Sequence, residues 1–506
     1  MPDKSLMLDR TRNVLFENKV VILFAGVALF AFFASGVSTV MFFSELFTRF
    51  GRNTFMVLSL LIPVAAGLGL NFGIVIGAMA AQISMFLVVL WGGQGVGGVA
   101  LVALVATPIA VVLGYLIGRL FNKMKGSEMI GGMVTALFAE GFYQFLFLYV
   151  MGGIIPINND RLMTATAAGE GGGIGVVNAI DLDRDNNMRQ ALDNVSLLNI
   201  VTVAFWLVLA FIVGLIIYNL VKKYPLKLRG QGGLIKPLIV FAALGLVYGF
   251  SFVIEPFLYF LYQDRVIGLT AVRLVSLFMA LYAVYRIVRV KLVEKSAESV
   301  SKPVSYIVIA AVIFLVTLVP DISNGLSRVR VPIFTYLIIV SLCFFINWFL
   351  KTRLGQNMRT VGHDRAVATT AGINVDRTRI IAMIMSTLLA AYAQIIMLQN
   401  FGVMQTYGAH SQVGLYAIAA LLVGGATVSR ASVKHAILGV ILFHSLFILA
   451  PMAGNRLMGS ALIGEYFRVF VANAVIAIAL IMHAWKRVKS RRRNKPGLDG
   501  GKVAAV

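Results

Sequence analysis

The chain has 506 residues, 59% of them hydrophobic and only 13% charged, with a formal net charge of +23. Soluble proteins carry about 25% charged residues, so a soluble enzyme, a secreted disulfide scaffold and a disordered chain are all excluded. The one cysteine, Cys343, sits in an apolar run and has no partner for an intrachain disulfide.

Apolar runs between polar punctuation predict fourteen membrane spans, at 20–43, 54–70, 71–91, 99–118, 128–154, 195–221, 237–262, 266–285, 303–320, 332–350, 380–400, 413–428, 436–452 and 462–484. Residues 53–118 contain no Asp, Glu, Lys or Arg at all. The first run is too long for a signal core and reads as an uncleaved helix. The division between Leu70 and Asn71 is the weakest, since 54–91 also suits one broken helix or a re-entrant pair. With the N-terminus cytoplasmic, 33 Lys and Arg fall on the inner side and 9 on the outer. That bias supports an even span number with both termini inside. The basic residues therefore answer to the lipid bilayer, and no nucleic-acid partner is expected. The segment 155–194, with six acids and a glycine-rich stretch, reads as a partly ordered external loop too polar to build a core. The tail 485–506 reads as a basic cytoplasmic anchor.

Several motif matches fail. Residues 93–98 spell a dinucleotide pattern but follow a membrane helix with no strand before them, and 181–186 open like a calcium loop with Asn186 where glycine is needed. There is no Walker loop, and the five His are scattered. No catalytic residue, metal site or bound cofactor is expected in this chain.

Gly69, Gly73, Gly77 and Ala81 recur every four residues, which on a helix makes a smooth stripe, and Gly114 with Gly118 repeats it. The stripe serves helix packing, or it forms with Asn71 and Gln82 the wall of a central path. Glu140 and Gln144, one turn apart, are a further intramembrane polar pair. Glu255 and Arg273 lie nine positions either side of a hairpin centred near Asp264, hence at equal depth, and are expected to pair as a structural ion pair or as a relay.

The loop 351–379 is the most informative stretch. It has six basic residues, glycines at 355 and 372, and a small-residue run opened by Asp364 at an N-cap position. A short helix on the inner surface with a small-residue face can dock into a partner's groove.

The text of this loop resembles a family. Gly355, Arg359, Gly362-His363-Asp364, Ala366, Ala368 and Ala371-Gly372-Ile373-Asn374-Val375 are similar to the coupling loop of bacterial ABC importer permeases serving simple sugars, nucleosides and branched-chain amino acids. The Ala-rich segment 417–427, with Gly424-Gly425, and the glycine-rich 67–74 are similar to further segments of that group. The resemblance implies an all-α polytopic bundle. It also implies a cytoplasmic ABC ATPase subunit, a second permease chain (identical or similar) and an extracytoplasmic substrate-binding protein as partners. Gly355, Gly362, His363, Asp364, Ala368, Ala371, Gly372 and Ile373 would then form the ATPase contact. Asn71, Gly73, Gln82, Glu140, Gln144, Gly424 and Gly425 are the candidates for the substrate path. Two features depart from the group. Ser429-Arg430-Ala431-Ser432 replaces a second glycine-rich turn, and four surplus spans lie between 195 and 320. The expected organisation is 1–155 and 332–484 as two halves of a ten-span core, with 156–331 as an external loop and inserted helical module. An ion-coupled secondary transporter with Glu140, Glu255 and Arg273 as relays is the alternative.

Overall fold

The computed structural model describes residues 19–493 apart from 125, 158, 160, 165–173, 185, 222–234, 254–261 and 290–300. Contacts divide the chain into two compact units. One comprises 1–38, 45–189 and 341–506, and the other 39–44 and 190–340.

The first unit opens with α1 (Lys19–Ser35), a break at 36–38, α2 (Thr39–Ser59) and the single turn α3 (Leu61–Ala65). Next come α4 (Ile74–Leu90), α5 (Gly95–Lys123) and α6 (Glu128–Phe145), which continues as a π-helix over Leu146–Ile154. The second unit carries α7 (Leu197–Val221), α8 (Ile235–Val253), α9 (Gly268–Val288), α10 (Ser301–Val316) and α11 (Pro320–Ser327). Within it α7 packs on α8 and α9 on α10, and the strands Arg265–Ile267 and Arg330–Pro332 pair antiparallel. Helix α12 (Ile333–Phe349) leads back to the first unit. There α13 (Arg353–His363), α14 (Arg365–Thr370), α15 (Val375–Phe401), α16 (Ala409–Val423), α17 (Val433–Met458) and α18 (Ala461–Arg493) complete the chain.

Among the described residues six helices are long and apolar enough to cross a membrane. They become eight if the bent pairs α10–α11 (85°) and α12–α13 (73°) each count as one span. Two of the fourteen apolar runs do not correspond to single straight helices. The run 20–43 is interrupted at 36–38, where Gly36 takes a left-handed φ of 63°, and α2 then continues straight through 44–53. That segment looked like an outer connection because of Arg49 and Arg52. On the helix, Arg49 is paired with Glu45 at 3.3 Å and Arg52 lies over the Phe401 ring, so charge did not mark a loop. The run 54–70 is likewise no straight span. It holds the end of α2, the turn α3, and left-handed glycines at 67 and 69.

Helix α15 is the centre of the first unit and packs on both α4 and α5. Small residues make the approach possible. A Cβ on Gly114 would lie 2.8 Å from the Ile384 Cα, and one on Gly118 would lie 2.9 Å from the Ile380 Cα. Gly77 abuts Thr387 and Ala390 in the same way. The four-residue stripe is shorter than its spacing suggested, because α4 starts at Ile74 and leaves Gly69 and Gly73 outside the helix. Away from these seams the helices are inside-out: Leu137 and Phe138 of α6 are 74% and 77% exposed, as expected of surfaces facing lipid chains.

The segment expected to be a coreless external loop instead folds onto the first unit. Leu162, Met163, Val176, Ile180, Leu182 and Met188 are all buried, and β1 (Ala179–Asp181) pairs antiparallel with β4 (Val403–Gln405), just beyond the end of α15. A few well-placed apolar side chains suffice when a membrane bundle supplies the other half of the core.

Helices α17 and α18 cross where glycine faces glycine. A Cβ on Gly454 would sit 2.6 Å from the Gly464 nitrogen. Gly454→Val is therefore expected to force the helices apart, at a cost of about 2 kcal/mol read from the thermal unfolding of the detergent-solubilised chain.

Candidate coupling site

Between α12 and α15 the chain makes two short helices, and each helix start carries its own side-chain cap. Thr352 accepts from the Gly355 amide at 3.3 Å and starts α13. Asp364, in extended backbone, accepts from the amides of Ala366 at 2.7 Å and Val367 at 3.2 Å and starts α14. Asn374 accepts from Arg377 at 2.9 Å and starts α15. Each cap satisfies amides that a helix start leaves open. Helix α14 closes at Gly372, whose φ of 76° lets the Gly372 amide reach Thr369 and the Ile373 amide reach Ala368. The outer face of this unit is small and exposed. Ala366, Thr369, Thr370, Ala371 and Gly372 face out beside Val367, which is 56% exposed, while Ala368 is buried beneath them.

The loop is held to the helices behind it at two points. The first is backbone on backbone. A Cβ on Gly67 would lie 2.6 Å from the Gly362 Cα, and one on Gly362 would enter the Ala65 carbonyl oxygen. Gly67 can serve there because it takes a left-handed φ of 70°. The second is ionic. Glu128, at the start of α6, accepts through its Oε1 from Arg365 at 2.5 Å and from Arg379 at 2.6 Å. Arg379 is fully buried and its Nη2 also donates to the Phe121 carbonyl at 3.3 Å. One carboxylate thus ties α14 to the first turns of α15 and to the start of α6. Asn122 adds a bond from its Nδ2 to the Asp376 carbonyl at 2.9 Å. His363 and Asp364 rim a recess of about 390 Å³ beside Gly67 and Gly126. Gly355 fills a different need, lying against the backbone of residues 349–350 at the turn from α12 into α13.

Sequence reasoning missed Glu128, Arg365, Arg379 and Gly67. Arg379 had been counted among the basic residues of the loop, although it stands one turn inside α15.

The substrate-path candidates fall into four groups, and no hydrogen bond among the described residues links them. Asn71, fully buried, donates to Ser386 at 3.2 Å, and its neighbour Gly73 precedes α4. Gln82, also fully buried, donates to the Gln405 carbonyl at 3.3 Å. Glu140 accepts from Gln144 at 3.2 Å and meets His410 Nε2 at 2.7 Å, against the ring of Tyr143. His410 and Tyr143 carry no sequence signal, since they adjoin Glu140 only in three dimensions. Gly424 and Gly425 end α16. A Cβ on Gly424 would lie 2.7 Å from the Gly439 nitrogen, so that glycine is a helix contact. Glu255 lies outside the described residues, so its pairing is not on view. Arg273 is found donating to Thr317 Oγ1 at 3.3 Å, with Phe314 under its guanidinium. The described residues contain no cluster of three metal-ligating side chains.

Residues 192–480 match the family described as "Branched-chain amino acid transport system / permease component". The chain belongs to that family. The matched part of the permease includes α13 and α14 and also α7–α11, the helices that looked surplus, and it leaves 54–155 outside. Over 153 residues the permease is 31% identical to the "Probable ABC transporter permease protein YphD" of Escherichia coli (strain K12). That alignment covers 30% of this chain and 43% of the relative, so the permease spans less than half the length of the curated protein it matches. No solved structure matches the permease. Family membership and its apolar helices make it a multi-pass protein of the inner membrane.

Proposed function

We propose that this permease is the membrane subunit through which a separate cytoplasmic ABC ATPase drives uptake of a small polar solute, a sugar or a nucleoside. Two permease chains, identical or similar, form the path, and an extracytoplasmic binding protein delivers the solute. Both termini lie in the cytoplasm, in keeping with the distribution of Lys and Arg. The chain itself performs no chemistry.

The observation that carries this reading is the construction of α14. A six-residue helix would be marginal alone. Here it is capped at its start by Asp364 and closed at Gly372. Through Arg365, Glu128 and Arg379 it is tied to the helix that runs through the middle of the first unit. Such a part transmits a push applied to its exposed face. The solute route is supported by buried amides with hydrogen-bonding capacity left over: Asn71 Oδ1, Gln82 Oε1 and both amide atoms of Gln394 make no hydrogen bond.

Gly372→Trp tests the docking. Nothing lies within 4 Å of a Cβ built on Gly372, so the indole would project from the exposed face rather than into the fold. Co-purification of the ATPase subunit with the tagged permease is expected to fall about ten-fold or more, the equivalent of 1.4 kcal/mol. Gly372→Ala is expected to retain the association. Undiminished co-purification with Gly372→Trp would overturn the proposal.

A further inference from the structure

Away from the coupling helices, three arginines converge inside the first unit around one buried histidine. Arg468, seven residues into α18, stacks on the Phe447 ring with its Cζ 3.8 Å from the centroid, and Arg49 of α2 approaches the same ring at 5.9 Å. Arg52, one turn further along α2, stacks on Phe401 at 3.9 Å. His444, one turn before Phe447 on α17, is 5% exposed with its ring 5.8 Å from that of Phe447, and its Nδ1 makes no hydrogen bond.

The charges facing this place do not balance. Glu45 pairs with Arg49 at 3.3 Å and Glu465 pairs with Arg468. Arg52 has no carboxylate within ion-pair distance among the described residues, and the Nε atoms of Arg52 and Arg468 make no hydrogen bond. The ring of Tyr416 completes the set of titratable neighbours and brings no ordinary negative charge. Three cations therefore meet two anions on helices whose other faces are apolar. A part-buried cation left without a carboxylate calls for an acceptor from elsewhere. Aromatic rings hold the guanidinium planes in place; Arg49 donates to Glu45, and Arg468 to Glu465 and the Phe447 carbonyl, which leaves the Nε atoms of Arg52 and Arg468 for a further acceptor.

We propose that Arg49, Arg52 and Arg468 form a binding site for an anionic group, a carboxylate or phosphate, with His444 Nδ1 as a fourth polar contact. The missing negative charge comes from the ligand. Two sources share that chemistry: a diffusible acidic solute and the headgroup of an anionic phospholipid. The site is defined without reference to the coupling helix, so the failure of either proposal leaves the other standing.

The test uses the full chain in phosphatidylcholine nanodiscs. Its thermal midpoint is followed as inorganic phosphate replaces chloride at constant ionic strength. In a second arm, part of the phosphatidylcholine is replaced by phosphatidylglycerol. A rise with phosphate identifies a diffusible anion, and a rise with phosphatidylglycerol alone identifies a headgroup. Either supports the site, provided that Arg52→Gln weakens the response about ten-fold, as expected for loss of a charge-assisted hydrogen bond. Arg49→Gln, at a side chain that is 24% exposed, gives the same reading should Arg52→Gln fail to fold. No rise in either arm, or an equal rise in both variants, overturns the proposal.

Discussion

Glu128→Gln is expected to be the most damaging isosteric change in the molecule. It keeps the shape of the side chain and removes one negative charge, leaving Arg379 buried beside Arg365 without the carboxylate that both now share. Breaking a buried ion pair on one side costs about 3 kcal/mol or more, because the surviving charge stays out of water. The variant should unfold at a clearly lower temperature in detergent. Under the coupling proposed above, its uptake should fall further than its residual folded fraction explains, since α14 is then loose on α15. Glu128→Gln combined with Arg379→Gln provides the control. With both charges gone the orphan is removed, and the double variant should recover a large part of the stability lost in the single one. A double variant no better than Glu128→Gln alone would show that the pair contributes nothing through charge.

The second large effect is expected at Gly362. Its absent side chain is what lets α13 lie directly on the backbone at Ala65 and Gly67. Gly362→Val places atoms inside the Ala65 carbonyl, so the two segments must separate, at a cost of about 3 kcal/mol, the upper end of ordinary overpacking. Gly372, ten residues on, makes the contrast. Its surroundings are open, and alanine there meets only the strain of a left-handed backbone, about 1 kcal/mol. Thermal unfolding of the two variants side by side separates the meanings of glycine in one loop: close approach at 362, chain reversal at 372. Equal destabilisation by the two would refute the close approach at Gly362.

How far these features were legible depends on how local they are. Asp364 capping α14 and Gly372 ending it need only neighbours along the chain, and both are visible in the single stretch 364–372. The tie between Glu128 and Arg379 spans 251 positions, and nothing in the text around either residue names the other. The same holds for Glu140 and His410, which are 270 positions apart. Hydropathy departs from the helices for a different reason. It reads average apolarity and so passes over a break such as 36–38, and it rejects a helix that carries Arg49 and Arg52 because their compensation by Glu45 and by aromatic rings comes from the fold. The segment 155–194 was underrated for the converse reason. Its few apolar residues are too sparse to show a period, yet the bundle beneath them supplies what they pack on. The Gly77 seam lay between these cases: its spacing pointed to close packing, and only the structure named α15 as the helix that uses it.

Helix α15 runs unbroken for 27 residues, about 40 Å, from the carboxylate clamp at one end to the β1–β4 ribbon at the other. A rod without a joint works as well backwards as forwards. Whatever stabilises one position of its ribbon end must, by thermodynamic reciprocity, alter by the same factor the affinity with which a partner is held at its clamped end. Under the function proposed above, a loaded binding protein at the ribbon end would therefore be felt by the ATPase at the clamped end before any nucleotide is spent.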